Sequence, residues 1–145
     1  MKSVVLCAST MFYDHVAQLA DELEANGFKS VVPIDVENIR RGEQYDATTA
    51  KTWYENPEDF RLKGDYMRDH FNKIVTGDIL LVVNDEKHGV PGYIGPNVLM
   101  EMGLAFHLHK PIYVLNAVSK DMPTYEEVFG MGSVILEGDL TKISA

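Results

Sequence analysis

The chain has 145 residues, of which 46% are hydrophobic and 24% charged, as expected for one globular domain with its own core. Its formal net charge of −9 argues against binding a nucleic-acid polymer, because contacts to the phosphate backbone need a basic surface. A small anion held by backbone amides at a helix N-terminus is still allowed. The N-terminus lacks the layout of a signal peptide, and no apolar run reaches the roughly 18 residues that would span a membrane.

The only cysteine, Cys7, lies in an apolar run, and we expect it to be a small core residue in a reducing compartment. This predicts a cytoplasmic protein. No G-x-G-x-x-G follows the first predicted strand, and there is no Walker lysine, so dinucleotide and NTP sites are not expected. The histidines lack metal-ligand spacing, and we therefore predict neither a metal nor another cofactor.

The first part of the chain reads as strand, helix and strand. Residues 4–8 are continuously apolar, as in a strand buried on both faces. A helix is predicted over residues 13–26, with a glycine stop at Gly27. A second strand is predicted over residues 30–34. This order gives a right-handed parallel unit.

Residues 36–56 are polar and are predicted to be an insertion that carries Tyr45, Trp53 and Tyr54. A connection of this length inside a compact domain is usually functional or mobile. Two interpretations stay open. The aromatic side chains pack onto the body of the domain, or they form a lid that stacks on a flat ligand.

The second half continues the alternation of helices and strands. Asn56 and Pro57 supply a cap and a first-turn proline for a helix that ends at Gly77. Gly95 followed by Pro96 begins another helix, which is almost wholly apolar. The remaining elements are predicted as strands over residues 78–83, 112–115 and 134–136 and a short helix after Thr124.

Five strands alternating with helices predict a single α/β domain over residues 1–145, a three-layer, doubly wound, five-stranded parallel sheet of Rossmann-like or flavodoxin-like type. Ligands of such sheets bind beyond the carboxyl ends of the strands. The residues near these ends that we predict to contact a ligand are Ser9, Thr10, Phe12, Asn84, Gly92, Tyr93, Gly95 and Asn116.

Glu101 is the one carboxylate in the apolar helix that begins near Pro96. A buried charge is costly unless it is paired, protonated or in use. Helical spacing places Glu101 on the same face as Asn97, which can look toward the ligand crevice, while Gly103 would let another side pack closely on a strand. Spacing alone leaves two readings open, a functional carboxylate or one tied up by a tyrosine or a backbone amide.

The sequence Asn-Val-Leu-Met-Glu-Met-Gly-Leu-Ala at residues 97–105, after a strand and an open loop and before Lys110–Pro111, resembles the nucleoside 2-deoxyribosyltransferase family. Relatives of that family include nucleotide N-glycosidases. The resemblance extends from the first strand to the strand at residues 112–115. It implies a small-molecule nucleoside or nucleotide as substrate, and a homodimer or larger homo-oligomer.

The resemblance also implies roles for individual residues. Glu101 matches the glutamate that attacks the anomeric carbon of the sugar as a nucleophile. The position of the residue that handles the leaving base is occupied by His70, with Asp69 next to it, and a histidine can act as a general acid. Asn97 and the loop at Gly95 would hold the sugar or phosphate. A non-catalytic nucleotide-binding or sensor protein of the same fold is the alternative.

Overall fold

A computed structural model describes residues 1–144 as one parallel sheet with helices on both faces, which confirms the predicted α/β fold. The strands are β1 (Ser3–Ala8), β2 (Lys29–Val31), β3 (Ile79–Val83), β4 (Ile112–Val114) and β5 (Val134–Ile135). The α-helices are α1 (Tyr13–Ala25), α2 (Ile34–Arg40), α3 (Phe60–Thr76), α4 (Pro96–His107) and α5 (Tyr125–Gly130). Short 3-10 helices cover Thr10–Phe12, Thr52–Tyr54, Pro57–Asp59 and Leu140–Lys142. No helix within residues 1–144 has both the length and the apolar composition needed to cross a bilayer.

Two hydrophobic clusters lie on opposite faces of the sheet. Successive side chains of a strand point to opposite faces, so Val4 and Leu6 of β1 belong to one cluster and Val5 and Cys7 to the other. Helices α1 and α2 cover the first face, and α3, α4 and α5 cover the second. The result is the predicted three-layer arrangement.

The order of the strands is β2-β1-β3-β4-β5, and each pairs in parallel with its neighbours. From β1 the chain winds to one side to form β2 and then returns to the other side to form β3. The connections after β1 and β3 therefore leave the sheet in opposite directions. A crevice forms where they part, at the carboxyl ends of these two strands.

The structure corrects the predicted boundaries around residue 34. The strand expected over residues 30–34 ends at Val31, and the first five residues of the expected insertion, 36–40, belong to α2. Pro33 precedes the helix, and acidic residues in its first turn complement the helix dipole. Val36 is fully buried against the body of the domain, and this tertiary contact stabilises a short helix of low intrinsic propensity.

Gly103 does not have the packing role that its position suggested. No atom outside its own helix neighbourhood lies within 4 Å of where its Cβ would be, so a larger side chain meets open space. The prediction that α4 packs closely on a strand through Gly103 is wrong. Contacts to the sheet come instead from Val98, Met102 and Ala105, which are buried.

Lys110 closes the end of α3. Its Nζ donates to the backbone carbonyls of Ile74, Val75 and Gly77, which otherwise lack partners at a helix C-terminus. We expect Lys110→Met, which keeps the aliphatic stem, to lower the free energy of unfolding by about 2 kcal/mol in urea denaturation. Lys120→Met is the matched control, because Lys120 is exposed. Equal losses in the two variants would contradict the assigned role.

Candidate functional site

A cavity of about 770 Å³ opens at the carboxyl end of β1, in the crevice of the sheet. Its wall combines the loop after β1, the start of α2, parts of residues 44–54, one face of α3 and the beginning of α4. The volume is typical of small-molecule sites. A larger groove of about 920 Å³ between α1 and α2 is shallow, and its Arg40 is already paired with Asp21 and Glu24. The cavity at β1 is therefore the candidate site.

Glu101 contributes a carboxyl group to the wall of this cavity, although the residue is only 2% exposed. Asn97, one turn earlier on the same face of α4, donates from Nδ2 to Glu101 Oε1 over 2.8 Å. Burial raises the pKa of Glu101 to about 8, against smaller opposing effects of Lys63 and of the Asn97 hydrogen bond. The carboxyl group is therefore mostly protonated at neutral pH.

His70 projects from α3 toward Glu101, with its Nε2 3.2 Å from Oε2. The angles between the two groups do not form a regular hydrogen bond, and within residues 1–144 both atoms lack another partner. Burial and, to a smaller extent, Lys73 lower the pKa of His70 to about 4, while the nearby Leu6 carbonyl and Asp69 act in the opposite direction. At neutral pH a protonated carboxyl group therefore faces a neutral imidazole.

Asp69, the second candidate for the acid, is held differently. Its side chain lines the cavity but is about half exposed, and its Oδ2 lies 3.2 Å from Lys73 Nζ. Lys73 also donates to the Val32 carbonyl and lies 3.2 Å from Glu37. Of the two adjacent candidates on α3, it is His70 that the fold brings against Glu101.

Five of the residues predicted to bind ligand line the cavity: Ser9, Thr10, Tyr93, Gly95 and Asn97. Lys87 joins two of them, because its Nζ donates to Ser9 Oγ over 3.2 Å and lies 4.9 Å from the centre of the Tyr93 ring. A Cβ on Gly95 would lie 2.9 Å from the Tyr93 hydroxyl oxygen. Glycine at this position therefore lets Tyr93 fold over the start of α4.

The other four residues predicted to bind ligand do not line the cavity. Phe12 is buried in the hydrophobic cluster under α1. The Asn84 side chain exchanges hydrogen bonds with the Asn116 backbone over 2.8 and 2.9 Å, which uses its polar atoms to join the ends of β3 and β4. A Cβ on Gly92 would lie 2.2 Å from the Ala117 carbonyl oxygen. None of these four residues lies on the cavity wall, and their contact with a ligand stays a prediction.

The aromatic residues of the predicted insertion divide into two groups. Trp53 is buried and lines the cavity, and the Tyr45 ring packs against Tyr13 with 5.4 Å between centroids. Tyr54, which is 76% exposed, contacts Phe60 at the rim. Packing onto the body of the domain is thus confirmed for Trp53 and Tyr45. Stacking on a flat ligand stays a prediction.

Sequence reasoning missed several residues of the wall, notably Lys63, Tyr13 and Asp35. Lys63 had a usable signal, because it precedes His70 by two helical turns and shares its face of α3. Tyr13 opens α1 and had none. Burial raises the pKa of its hydroxyl well above the usual range, and burial likewise raises the pKa of Asp35.

Cys7 is a buried free thiol at the floor of the cavity, in agreement with its predicted place in the core. Burial raises the pKa of the thiol, with Glu101 adding to the effect, so it stays protonated and weakly nucleophilic. Within the part of the chain that the structure describes, no three His, Cys, Asp or Glu side chains come together as a metal site.

The buried pair predicts a pH-dependent stability between pH 6.5 and 8. The folded protein keeps the Glu101 proton up to pH about 8, whereas an unfolded glutamate releases it near 4.5. Holding a proton that the unfolded chain has lost makes stability fall as pH rises. His70 acts in the opposite direction only between about 4 and 6.5, because its folded pKa is the lower one. Above pH 6.5 the effect of Glu101 is therefore unopposed within the pair.

We expect the free energy of unfolding of the wild-type protein to fall by about 1 kcal/mol per pH unit between pH 6.5 and 8, with the slope decreasing as Glu101 ionises near its pKa of about 8. Glu101→Gln removes the titrating group and keeps the shape, so its stability should change much less over this range. Urea denaturation at three pH values measures both. Parallel curves for the two proteins would contradict the buried, protonated state of Glu101.

No protein-family model matches the chain, and no curated protein matches its sequence.

Proposed function

We propose that this protein cleaves or transfers the N-glycosidic bond of a nucleoside or nucleoside 5′-monophosphate, with Glu101 as the nucleophile. The observation that supports the proposal most is the position of Glu101: a buried carboxyl on the wall of a nucleotide-sized cavity, held by Asn97 and 3.2 Å from His70. The resemblance of residues 97–105 to the deoxyribosyltransferase family supports the same chemistry.

The reaction uses one proton, the one that Glu101 carries at the start. It passes from Glu101 Oε2 to His70 Nε2, which leaves a carboxylate beside an imidazolium. The carboxylate forms a bond to the anomeric carbon while the bond from that carbon to the base breaks. The electron pair of the broken bond stays on the base nitrogen, which takes the proton from Nε2. Water or a second base then resolves the glycosyl-enzyme.

Asn97 and the start of α4 would hold the sugar. Asn97 donates to Glu101 through Nδ2, but its Oδ1 is buried without a partner in the described residues. An unpaired buried acceptor is costly, so it suits a sugar hydroxyl that donates to it. Ser9, Thr10 and the first backbone amides of α4 supply further donors at the same end of the cavity.

The remaining expectations are parts of the same proposal. The partner is a small molecule and not a nucleic-acid polymer, as the net charge of −9 favours. A homodimer or larger homo-oligomer and a cytoplasmic location follow from the resemblance and from cysteine usage. The exposed side chains of Met100 and Phe106 on α4 suit such an assembly.

The alternative is a nucleotide-binding or sensor protein that uses the same cavity without turnover. The neutral resting state of the Glu101–His70 pair is the observation that favours it, because a protonated glutamate is not a nucleophile. In that case nucleotides would raise the melting temperature of the protein, and no base would be released on long incubation.

The experiment is a panel of ribo- and deoxynucleosides and their 5′-monophosphates, each incubated with the protein, alone and with a second free base. Chromatography of the bases and nucleosides detects both hydrolysis and exchange. Release or exchange that is lost in Glu101→Ala supports the proposal. Activity that survives this substitution removes Glu101 from the role of nucleophile.

A further inference from the structure

Three lysines line the cavity wall without a counter-ion. The Lys87 ammonium already has partners in Ser9 Oγ and the Tyr93 ring, which leaves Lys51 and Lys63. Lys51 belongs to the loop before Trp53, and Lys63 to the first turn of α3. Within residues 1–144, no Asp or Glu carboxylate oxygen lies within 4.0 Å of either ammonium group. Lys51 and Lys63 thus present two positive charges to the same empty space, in a chain whose net charge is −9.

Two of the acidic residues of the cavity wall, Asp69 and Asp46, have partners of their own. Asp69 pairs with Lys73. The carboxylate of Asp46 accepts hydrogen bonds from the Thr48 amide and hydroxyl. Asp35 also lines the cavity and raises the pKa of two other wall residues, Tyr13 and Tyr45.

Lys63 is the more enclosed of the two lysines. Burial lowers its pKa, repulsion from Lys51 lowers it further, and Glu101 opposes both effects. Glu101 is mostly protonated at neutral pH, so the one carboxyl group that favours the Lys63 charge does not neutralise it. The Lys63 ammonium also lies 6.0 Å from the centre of the buried Trp53 ring, at the outer limit of a cation–π contact.

We propose that Lys51 and Lys63 bind an anionic substituent of the substrate, a phosphate or a carboxylate, so that the cavity prefers acidic nucleosides or nucleotides to neutral nucleosides. This inference rests on the proposed function for the identity of the rest of the substrate. An anion placed between the two ammonium groups relieves their repulsion and forms charge-assisted hydrogen bonds with both. The substituent is either a 5′-phosphate on the sugar or a carboxylate on the base.

The test compares three compounds. Uridine carries no anionic substituent, uridine 5′-monophosphate carries a phosphate on the sugar, and orotidine carries a carboxylate on the base. Binding is measured by calorimetry and by thermal shift, and base release by chromatography. We expect one of the two anionic compounds to bind at least about tenfold more tightly than uridine. The compound that binds more tightly than uridine shows whether the anion is the phosphate on the sugar or the carboxylate on the base. Equal binding of all three overturns the proposal.

Substitution of each lysine then assigns the site. Lys51→Ala should lower the affinity for the preferred anionic compound about tenfold and leave uridine unchanged. Lys63→Gln should do the same for affinity and also slow base release from every substrate, because Lys63 favours the ionised form of Glu101. Lys120→Ala, at an exposed lysine outside the cavity, is the matched control. Equal losses for uridine and the anionic compound in Lys51→Ala contradict the assignment.

The two proposals fail in different ways. Tighter binding of an anionic compound that is lost in Lys51→Ala, without base release or exchange from any member of the full nucleoside and nucleotide panel, supports the anion site and rejects the glycosidic reaction. Base release at equal kcat/KM from neutral and anionic substrates supports the reaction and rejects the anion site.

Discussion

Glu101→Gln is expected to lower kcat/KM for base release on the order of a thousandfold or more, because an amide oxygen cannot form the bond to the anomeric carbon. The substitution keeps the size of the side chain and an oxygen that can accept from Asn97 Nδ2. Substrate affinity should therefore change little. Calorimetric binding and steady-state base release, measured on the same preparation, separate the two effects.

Glu101→Ala adds a positive test of the same role. The truncated side chain leaves space beside the anomeric carbon, and added formate can occupy it as a substitute carboxylate. We expect formate to restore part of the base release in Glu101→Ala and to leave base release by the wild-type protein unchanged. The absence of rescue, together with full activity of Glu101→Gln, would show that the reaction proceeds through another group.

His70→Asn is expected to lower kcat on the order of a hundredfold to ten thousandfold for substrates whose base must be protonated to leave. The reason is that Nε2, 3.2 Å from Glu101 Oε2, is the group placed to carry the proton to the base. A 7-methylpurine nucleoside already carries a positive charge and leaves without this proton. Its cleavage should therefore be affected far less, which a merely structural role of His70 would not produce.

The pH dependence of kcat/KM also distinguishes a catalytic role of His70 from a merely structural one. The wild-type pair holds one proton between pH about 4 and about 8. The proposed reaction needs that proton, so kcat/KM should stay level through this range and fall above pH about 8, as the pair loses it. In His70→Asn only the ionised Glu101 can react, so kcat/KM should instead rise as pH increases. Asp69→Asn is the control for the fall above pH about 8, which it should leave unchanged, because Asp69 acts on the pKa of His70 and not on that of Glu101.

The strands and most helix limits followed from local patterns. Residues 78–83 form an unbroken apolar run, and the central strand β3 occupies Ile79–Val83. Gly95 and Pro96 marked the start of α4 at the observed residue. Helix α2 was not predicted. Val31, Val32 and Pro33 continue an extended pattern, and no local signal indicates that a helix begins at the next residue. Contact with α1, not propensity, decides that segment.

The residues of the cavity wall could be predicted only in part, for a physical reason. Position at the carboxyl end of a strand indicates which residues lie near the crevice, and it did so for Ser9 and Asn84 alike. It does not indicate whether the polar atoms of a side chain already have hydrogen-bond partners within the protein. The side-chain polar atoms of Asn84 form hydrogen bonds with the backbone of Asn116, and the two residues are adjacent only because β3 and β4 pair.

The sequence by itself determined the parallel sheet and the burial of Glu101, since unbroken apolar runs and helical spacing are properties of neighbouring residues. Only the tertiary structure decided that His70 faces Glu101, that the proton rests on the carboxyl group, and that Lys51 and Lys63 share one wall. These features depend on how α3, α4 and the loop before Trp53 pack together. They also depend on the exclusion of water from the space between them, which no local pattern encodes.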